Sequence, residues 1–162
     1  MSPTDPHLPC DAPARALAAS LLRDARHAAF AFTDPVTGMP GISRIALCAV
    51  APGQILTLVS ALSAHTSGIL AQPTCAFMVG DPGPKGDPLT HPRLMIQATA
   101  TFLQRDHPQH GECRTVWLHH HPKAKLYIDF ADFQFASLQP TTALLNAGFG
   151  RAYRLASADL SH

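Results

Sequence analysis

The sequence predicts a mainly β (α+β) domain: a small antiparallel barrel, closed or split, with short helices at its periphery. Three features favour this fold class. About six or seven segments alternate apolar and polar residues, as strands with one buried face do. Turn-forming residues separate neighbouring segments, and only short stretches have helical spacing. Strands joined by short turns pair antiparallel, and small sheets of this kind close into barrels.

The first half of the chain predicts a helix followed by strands. Leu17, Leu21, Leu22 and Ala25 fall on one stripe of the helix, and the period then changes to two. Asp-Pro-Val-Thr-Gly and Ala-Pro-Gly are turn sequences between the strands. The predicted elements are a helix over 14–27, strands over 28–33, 40–50 and 54–60, a helix over 64–71 and a strand over 74–80.

The second half opens on residues 81–92, which contain four prolines and two glycines and are predicted to be a loop. Alternation resumes after this loop, and Pro122 divides the helical region that follows. The predicted elements are a strand over 93–103, helices over 109–120 and 122–127, and strands over 132–138 and 149–155.

Composition limits the function classes. A chain of 162 residues with 46% hydrophobic residues has enough apolar material for one packed domain. Charged residues make up only 14%, which favours a surface partly covered by a second copy of the chain. The net charge of +1 offers no basic field for nucleic acid.

The same sequence predicts no membrane span, because no apolar run approaches the ~20 residues that a bilayer crossing needs. The N-terminus does not resemble a signal peptide. We expect a flexible arm over residues 1–13, a single domain over residues 14–162 and a cytoplasmic location.

Four cysteines occur without any C-x-x-C pair, so we expect reduced thiols and no metal centre. Among ten histidines, the run 119–121 is predicted to lie at a helix end. Consecutive helical side chains point about 100° apart and do not chelate one metal ion. A solvated helix end is therefore favoured over a metal site.

Arg44 lies in a strand that is otherwise apolar, and such a cation needs an anionic partner unless it faces solvent or forms an internal salt bridge. Ser60 ends the next strand. Ser63, His65 and Thr66 mark the start of the following helix, where hydroxyl groups and free N–H groups favour a phosphate. Ordinary helix capping is the alternative. Hairpin pairing is expected to place Arg44 and Ser60 on adjacent strands.

Several short motifs resemble the pyridoxamine 5'-phosphate oxidase-like superfamily, whose fold is the FMN-binding split barrel. They are GISRIALC (41–48), VSALSAHTSGIL (59–70), QPTCAFMVG (72–80) and HPRL (91–94). Further motifs are similar to the haem-utilisation branch of that superfamily, and the similarity covers residues 15–155. They are GDPGPKGDPL (80–89), DFQF (132–135) and GFGRA (148–152).

The resemblance implies a homodimer with FMN at the subunit interface and a flavin-dependent oxidoreductase that acts on an unidentified small molecule. Cofactor-binding positions carried over by motif are Arg44, Ile45, Ser60, Ala64, His65, Thr66 and Arg93. The oxidases have arginine and lysine where this chain has His65 and Thr66. That difference predicts weaker FMN binding or another ligand. No catalytic acid or base is recognised.

Two alternatives to a flavoenzyme stay open. One is a haem- or flavin-binding carrier without turnover. For haem, His91, His107, His110 and the 119–121 run are candidate axial ligands, and surface histidines are the competing interpretation. The other alternative is a structural dimer module with an empty cleft, because a fold alone does not determine a function.

Overall fold

The computed structural model describes residues 5–161. Residues 1–4 and 162, at the ends of the expected arm and domain, lie outside the described residues. Three short 3-10 turns, at Pro88–Thr90, Pro122–Leu126 and Ser157–Leu160, accompany the main elements. In chain order these elements are β1 (Leu8–Pro9), α1 (Ala12–Asp24), β2 (His27–Thr33), β3 (Pro40–Ala46), β4 (Cys48–Ala51), β5 (Gln54–Ser60), α2 (Ala64–Ala71), β6 (Thr74–Val79), β7 (Arg93–Leu103), α3 (His110–His120), β8 (Phe133–Asn146) and β9 (Ala152–Ala156).

The strands form one sheet that curls around a core. Its order is β1-β9-β8-β7-β6-β2-β3, and β5 pairs with both β8 and β4. Every pairing is antiparallel except that of β1 with β9. The predicted fold class, a mainly β split barrel with short helices, is confirmed.

The strand predicted over residues 40–50 is divided into β3 and β4. Leu47 interrupts it, and its N–H donates to the carbonyl of Arg26 at 3.0 Å. β3 pairs with β2, whereas β4 pairs with β5. Within residues 5–161, a single side-chain hydrogen bond joins β5 to β3, from the Thr57 hydroxyl to the Ala46 carbonyl at 2.9 Å. Because β3 and β5 form no backbone ladder with each other, Arg44 and Ser60 do not lie on hydrogen-bonded neighbouring strands, and that prediction is wrong.

β8 is much longer than the predicted strand over 132–138. Pro140, two residues beyond the predicted end, lacks the N–H that a ladder needs. In the structure it lies where the β7–β8 register shifts, between Gln97 and Ala98, and the strand continues beyond it. A proline is tolerated at such an irregularity because no ladder hydrogen bond is required of it. β8 can therefore pair with β5, β7 and β9 along its length.

Two clusters make up the core. The larger one lies inside the barrel and includes Phe30, Phe77 and Ile96, and α1 closes it with Ala14, Ala18 and Leu22. The smaller cluster lies between α3 and the sheet, where Trp117 packs edge-on against Phe135 with ring centroids 5.6 Å apart. All four cysteines are free thiols.

The described part of the expected N-terminal arm contacts the barrel. Leu8 and Pro9 pair in parallel with Tyr153 and Arg154 of β9. The Arg154 guanidinium also donates to the Asp5 carboxylate at 2.8 Å. The division into an arm and one domain stays a prediction. Within residues 5–161 no helix is long and apolar enough to cross a bilayer.

Candidate functional site

The strands β3, β2, β6, β7 and β8 present a wall with a buried inner side and an accessible outer side. Phe30 points into the core, and its neighbours Ala29 and Ala31 point outward because side chains alternate along a strand. Residues that stand directly opposite each other in the ladders point to the same side, so the same alternation holds on each of these strands. We call this outer side the outer wall.

The middle of the outer wall is apolar and exposed. Ile42 is 77% exposed and Met78 is 43% exposed, although both are large apolar residues. With Met95 and the small alanines of β2 and β6, they line a hollow of about 150 Å³. Scattered exposed apolar residues are common, but a contiguous apolar surface of this kind indicates a ligand or a partner.

A second hollow lies beside the first, toward the end of β2 at Thr33. It has a volume of about 440 Å³ and shares Ala31 and Ala76 with the apolar hollow. Its lining is richer in hydroxyl and amide groups, contributed by Thr33, Thr74, Thr99, Thr141 and Gln97. The outer wall therefore has an apolar part and an adjoining polar part.

Both predicted arginines lie on the outer wall. Arg44 is exposed and stands opposite Ala29 in the β2–β3 ladder. It has no hydrogen-bond or ion-pair partner among the residues that the structure describes. Arg93 begins β7 opposite Asn146 and donates to the Leu89 carbonyl at 2.9 Å. The wall can therefore offer positive charge next to its apolar part.

Sequence reasoning did not identify His27, which begins β2 on the outward side. Its Nε2 lies 2.8 Å from the Asp81 carboxylate, and this contact ties the β6–β7 loop to the wall. The alternation in His-Ala-Ala-Phe-Ala-Phe was the available signal, because it puts His27 on the same side as Ala29.

Ser60 lies at the start of the α2 region, but its hydroxyl is already engaged. It donates to Oδ2 of Asp132 at 2.8 Å and accepts from the Leu62 N–H at 3.2 Å. Asp132 makes no ion pair within residues 5–161. The place that the sequence predicted for a phosphate therefore contains a carboxylate, which sequence reasoning did not anticipate.

The remaining predicted residues differ in what they can offer. The Thr66 hydroxyl is buried and donates to the Ser60 carbonyl at 2.6 Å, and Ile45 is buried in the core. The backbone N–H groups of Ala64 and His65, which open α2, have no acceptor among the described residues. Assignment of all these residues to a cofactor stays a prediction.

His65 turns its side chain toward the core. Its ring lies edge-on to Phe30 and Phe32, with centroids 6.1 and 6.3 Å away. Burial lowers the pKa of the imidazole below its ordinary value, because the charged form is poorly solvated there. His65 therefore supplies no positive charge to an anion near neutral pH.

This burial predicts a specific pH dependence of stability. The folded protein holds His65 neutral, so the unfolded chain binds a proton at a higher pH than the folded protein does. The contribution is complete above the ordinary imidazole pKa of about 6.5 and is lost as pH falls through and below it. We expect the Tm of the wild type to drop a few degrees further than that of His65→Gln between about pH 7 and about pH 5. Parallel Tm profiles in thermal unfolding would contradict the assignment.

The other histidines within residues 5–161 form no common centre. His119 is exposed, and His121 lies 2.9 Å from the Leu47 carbonyl through Nε2. The His91 ring accepts from the Gly83 N–H at 3.1 Å, within its own loop. No group of three or more histidine, cysteine or acidic side chains within residues 5–161 is arranged to hold a metal ion.

Comparisons with known proteins agree with the fold. No family model matches the chain. The non-canonical heme oxygenase HOZ, chloroplastic, of Arabidopsis thaliana is 28% identical over 131 residues, which cover 80% of this chain. The chain spans only 38% of that relative's length.

Two solved structures show the same architecture. A heme binding protein from Mycobacterium smegmatis superposes with a TM-score of 0.81 at 20% identity, over 91% of this chain and 59% of that one. A pyridoxinephosphate oxidase family protein from Clostridium acetobutylicum, related to general stress protein 26, superposes with a TM-score of 0.70 at 10% identity, over 93% and 99%. The chain therefore has the split-barrel fold of these proteins and is similar to the pyridoxamine 5'-phosphate oxidase-like superfamily, including its haem-utilisation branch.

Proposed function

We propose that the outer wall binds a planar, mainly apolar cofactor that carries acidic groups, and that this cofactor is haem. The observation that carries the proposal is the exposed apolar surface around Ile42 and Met78, with the unpartnered guanidinium of Arg44 on the same side. A tetrapyrrole needs an apolar surface for its ring and cations for its two propionates. The chain offers this apolar surface and two arginines, Arg44 and Arg93, on the same wall.

The contacts at the start of α2 disfavour a phosphate ester there, which leaves the apolar outer wall as the favoured surface. The Ser60 hydroxyl donates to Asp132, and burial keeps the nearby imidazole of His65 neutral. The names of the Arabidopsis and Mycobacterium proteins support haem as the ligand class. When bound, haem would supply iron-centred redox chemistry, while this chain would hold the ring and shield it from water.

FMN, with flavin-dependent oxidation or reduction of a small molecule, is the second candidate. The free N–H groups of Ala64 and His65 favour it, because the start of a helix stabilises an anion. Arg44 would then meet the phosphate. Spectra of the purified protein distinguish a haem Soret band from flavin absorption, and reduction by a nicotinamide donor distinguishes an enzyme from a carrier.

A second copy of the chain is the proposed cover for the outer wall. The wall leaves Ile42 77% exposed and Met78 43% exposed, and only 14% of the residues are charged. Homodimer interfaces are more apolar than ordinary surface. The homodimer is expected to show about twice the chain mass of 17.3 kDa in light scattering.

Met78→Asp tests the wall directly. A carboxylate there would be desolvated against the cofactor and would repel its acidic groups, so we expect haem affinity to fall at least about tenfold. A Soret titration measures the affinity, and light scattering reports the mass of the same samples. Leu126→Asp is the matched control, because Leu126 is 78% exposed on the Pro122–Leu126 turn, away from the wall strands.

Haem binding that is equal in wild type, Met78→Asp and Leu126→Asp would overturn the wall as the site. A wild type that binds FMN but not haem would overturn haem in favour of the second candidate. Far-UV circular dichroism of both variants confirms that the fold is retained.

A further inference from the structure

We propose that Asp132 is a specificity-determining residue that excludes phosphate-bearing flavins from the start of α2. This inference rests on the proposed function, in which haem and FMN are the competing ligands. Its basis is the placement of the Asp132 carboxylate where an FMN phosphate would need donors. Nothing in the predicted binding set includes Asp132.

The contacts of Ser60 locate the carboxylate. The Ser60 hydroxyl donates to Asp132 at 2.8 Å, and the Ser60 carbonyl accepts from the Ser63 N–H at 3.1 Å. The same carbonyl accepts from the buried Thr66 hydroxyl at 2.6 Å. Asp132 is thus connected to the first turn of α2 through Ser60, by two successive hydrogen bonds. Its own carbonyl accepts from the Ala61 N–H at 2.7 Å, which fixes the backbone beside that turn.

A phosphate at this helix start would meet an unfavourable field. A phosphate monoester carries between one and two negative charges at neutral pH. The nearest predicted donors are not available to the phosphate. The Ser60 hydroxyl already donates to Asp132, and the His65 imidazole, packed against Phe30 and Phe32, stays neutral. Like charges at close range repel strongly when water is partly excluded. Arg44 and the free N–H groups of Ala64 and His65 would have to offset both the repulsion and the lost hydroxyl donor.

The same carboxylate leaves an outer-wall ligand almost unaffected. The apolar hollow is lined by β2, β3, β6 and β7, none of which contributes the Asp132 carboxylate. In this proposal the haem ring lies over the apolar hollow, whose lining includes neither Ser60 nor Asp132. Asp132 therefore raises the selectivity for haem over FMN because it weakens FMN binding, and it does so without contacting haem.

Asp132→Asn tests the proposal, because asparagine retains an oxygen that can accept from Ser60 while it removes the charge. We expect FMN affinity, measured by flavin-fluorescence titration, to rise about tenfold or more. The affinity for riboflavin, which lacks the phosphate, should change less than about twofold. The affinity for haem, measured by a Soret titration, should also change less than about twofold. Asp106→Asn is the matched control, since Asp106 is exposed and makes no ion pair among the described residues.

The role of Asp132 would be overturned if FMN affinity were unchanged in Asp132→Asn, or if FMN and riboflavin gained affinity equally. An equal gain in Asp106→Asn would overturn it as well, because the effect would then reflect net charge alone. If Asp132→Asn raises the affinity for FMN but not for riboflavin, and no variant binds haem, Asp132 does disfavour a phosphate at the α2 start. The proposed haem function then fails. Thermal unfolding of each variant shows whether the fold is intact.

Discussion

Replacement of Arg44 by alanine is expected to weaken haem binding by about ten- to a hundredfold. A charge-assisted hydrogen bond contributes about 1.5–3 kcal/mol, and each 1.4 kcal/mol corresponds to about a factor of ten in affinity. Arg44 has the geometry for a large effect, because it is exposed on the outer wall and has no internal partner within residues 5–161. Its removal should therefore cost little stability. Soret titration and thermal unfolding measure the two quantities on the same samples.

The flavins provide an independent comparison for Arg44. FMN should lose affinity by a similar factor in Arg44→Ala, while riboflavin should be nearly indifferent because it has no phosphate for the guanidinium. Lys125→Ala removes an exposed cation from the Pro122–Leu126 turn and is the control for net charge. Equal losses for FMN and riboflavin, or a comparable loss in Lys125→Ala, would show that Arg44 does not bind the anionic group.

The substitution Gly68→Ala is expected to lower the free energy of unfolding by about 1–2 kcal/mol. A Cβ at Gly68 would collide with the Phe32 ring and lie 2.9 Å from the Thr33 carbonyl oxygen. The carbonyl belongs to the β2 backbone, so α2 itself must move away from the barrel. Overpacking of this kind costs about 1–3 kcal/mol, and the better helix propensity of alanine offsets up to about 1 kcal/mol of it.

Gly111→Ala is the matched control for that change. Gly111 is also helical, in α3, but an added Cβ there meets no atom within 4 Å. Only the propensity gain remains, so we expect stabilisation by up to about 1 kcal/mol. Urea unfolding gives both values. Equal effects of the two substitutions would mean that the close approach of α2 to β2 does not exist in solution.

Local signals account for the elements whose bounds were predicted correctly. β5, α2 and β7 begin and end where the sequence indicated. Each is bounded by residues that act on their own backbone, such as the turn at Pro52–Gly53 before β5 and Pro73 after α2. Propensity and alternation need no distant partner, so a sequence pattern is sufficient for them.

Pairing partners determined the elements that were predicted incorrectly. Leu47 divides one predicted strand because its N–H bonds to the Arg26 carbonyl while β3 pairs with β2. β8 continues past Pro140 because β7 and β9 flank it on both sides. Leu8 and Pro9 form the strand β1 only through their pairing with β9. The pairing of a strand depends on segments that are distant in sequence, and a local sequence pattern does not specify which segment will pair with it.

By itself, the sequence determined the mainly β class, most element bounds and the resemblance to the pyridoxamine 5'-phosphate oxidase-like superfamily, because these depend on local periodicity and short motifs. Only the tertiary structure decided how the candidate site is built. It placed Arg44 and Arg93 on one outer wall and turned His65 toward Phe30. It also brought Asp132 against Ser60 from 72 residues away. The reason is physical: the electrostatics of a site depend on distances in space, and these arise only when the barrel closes.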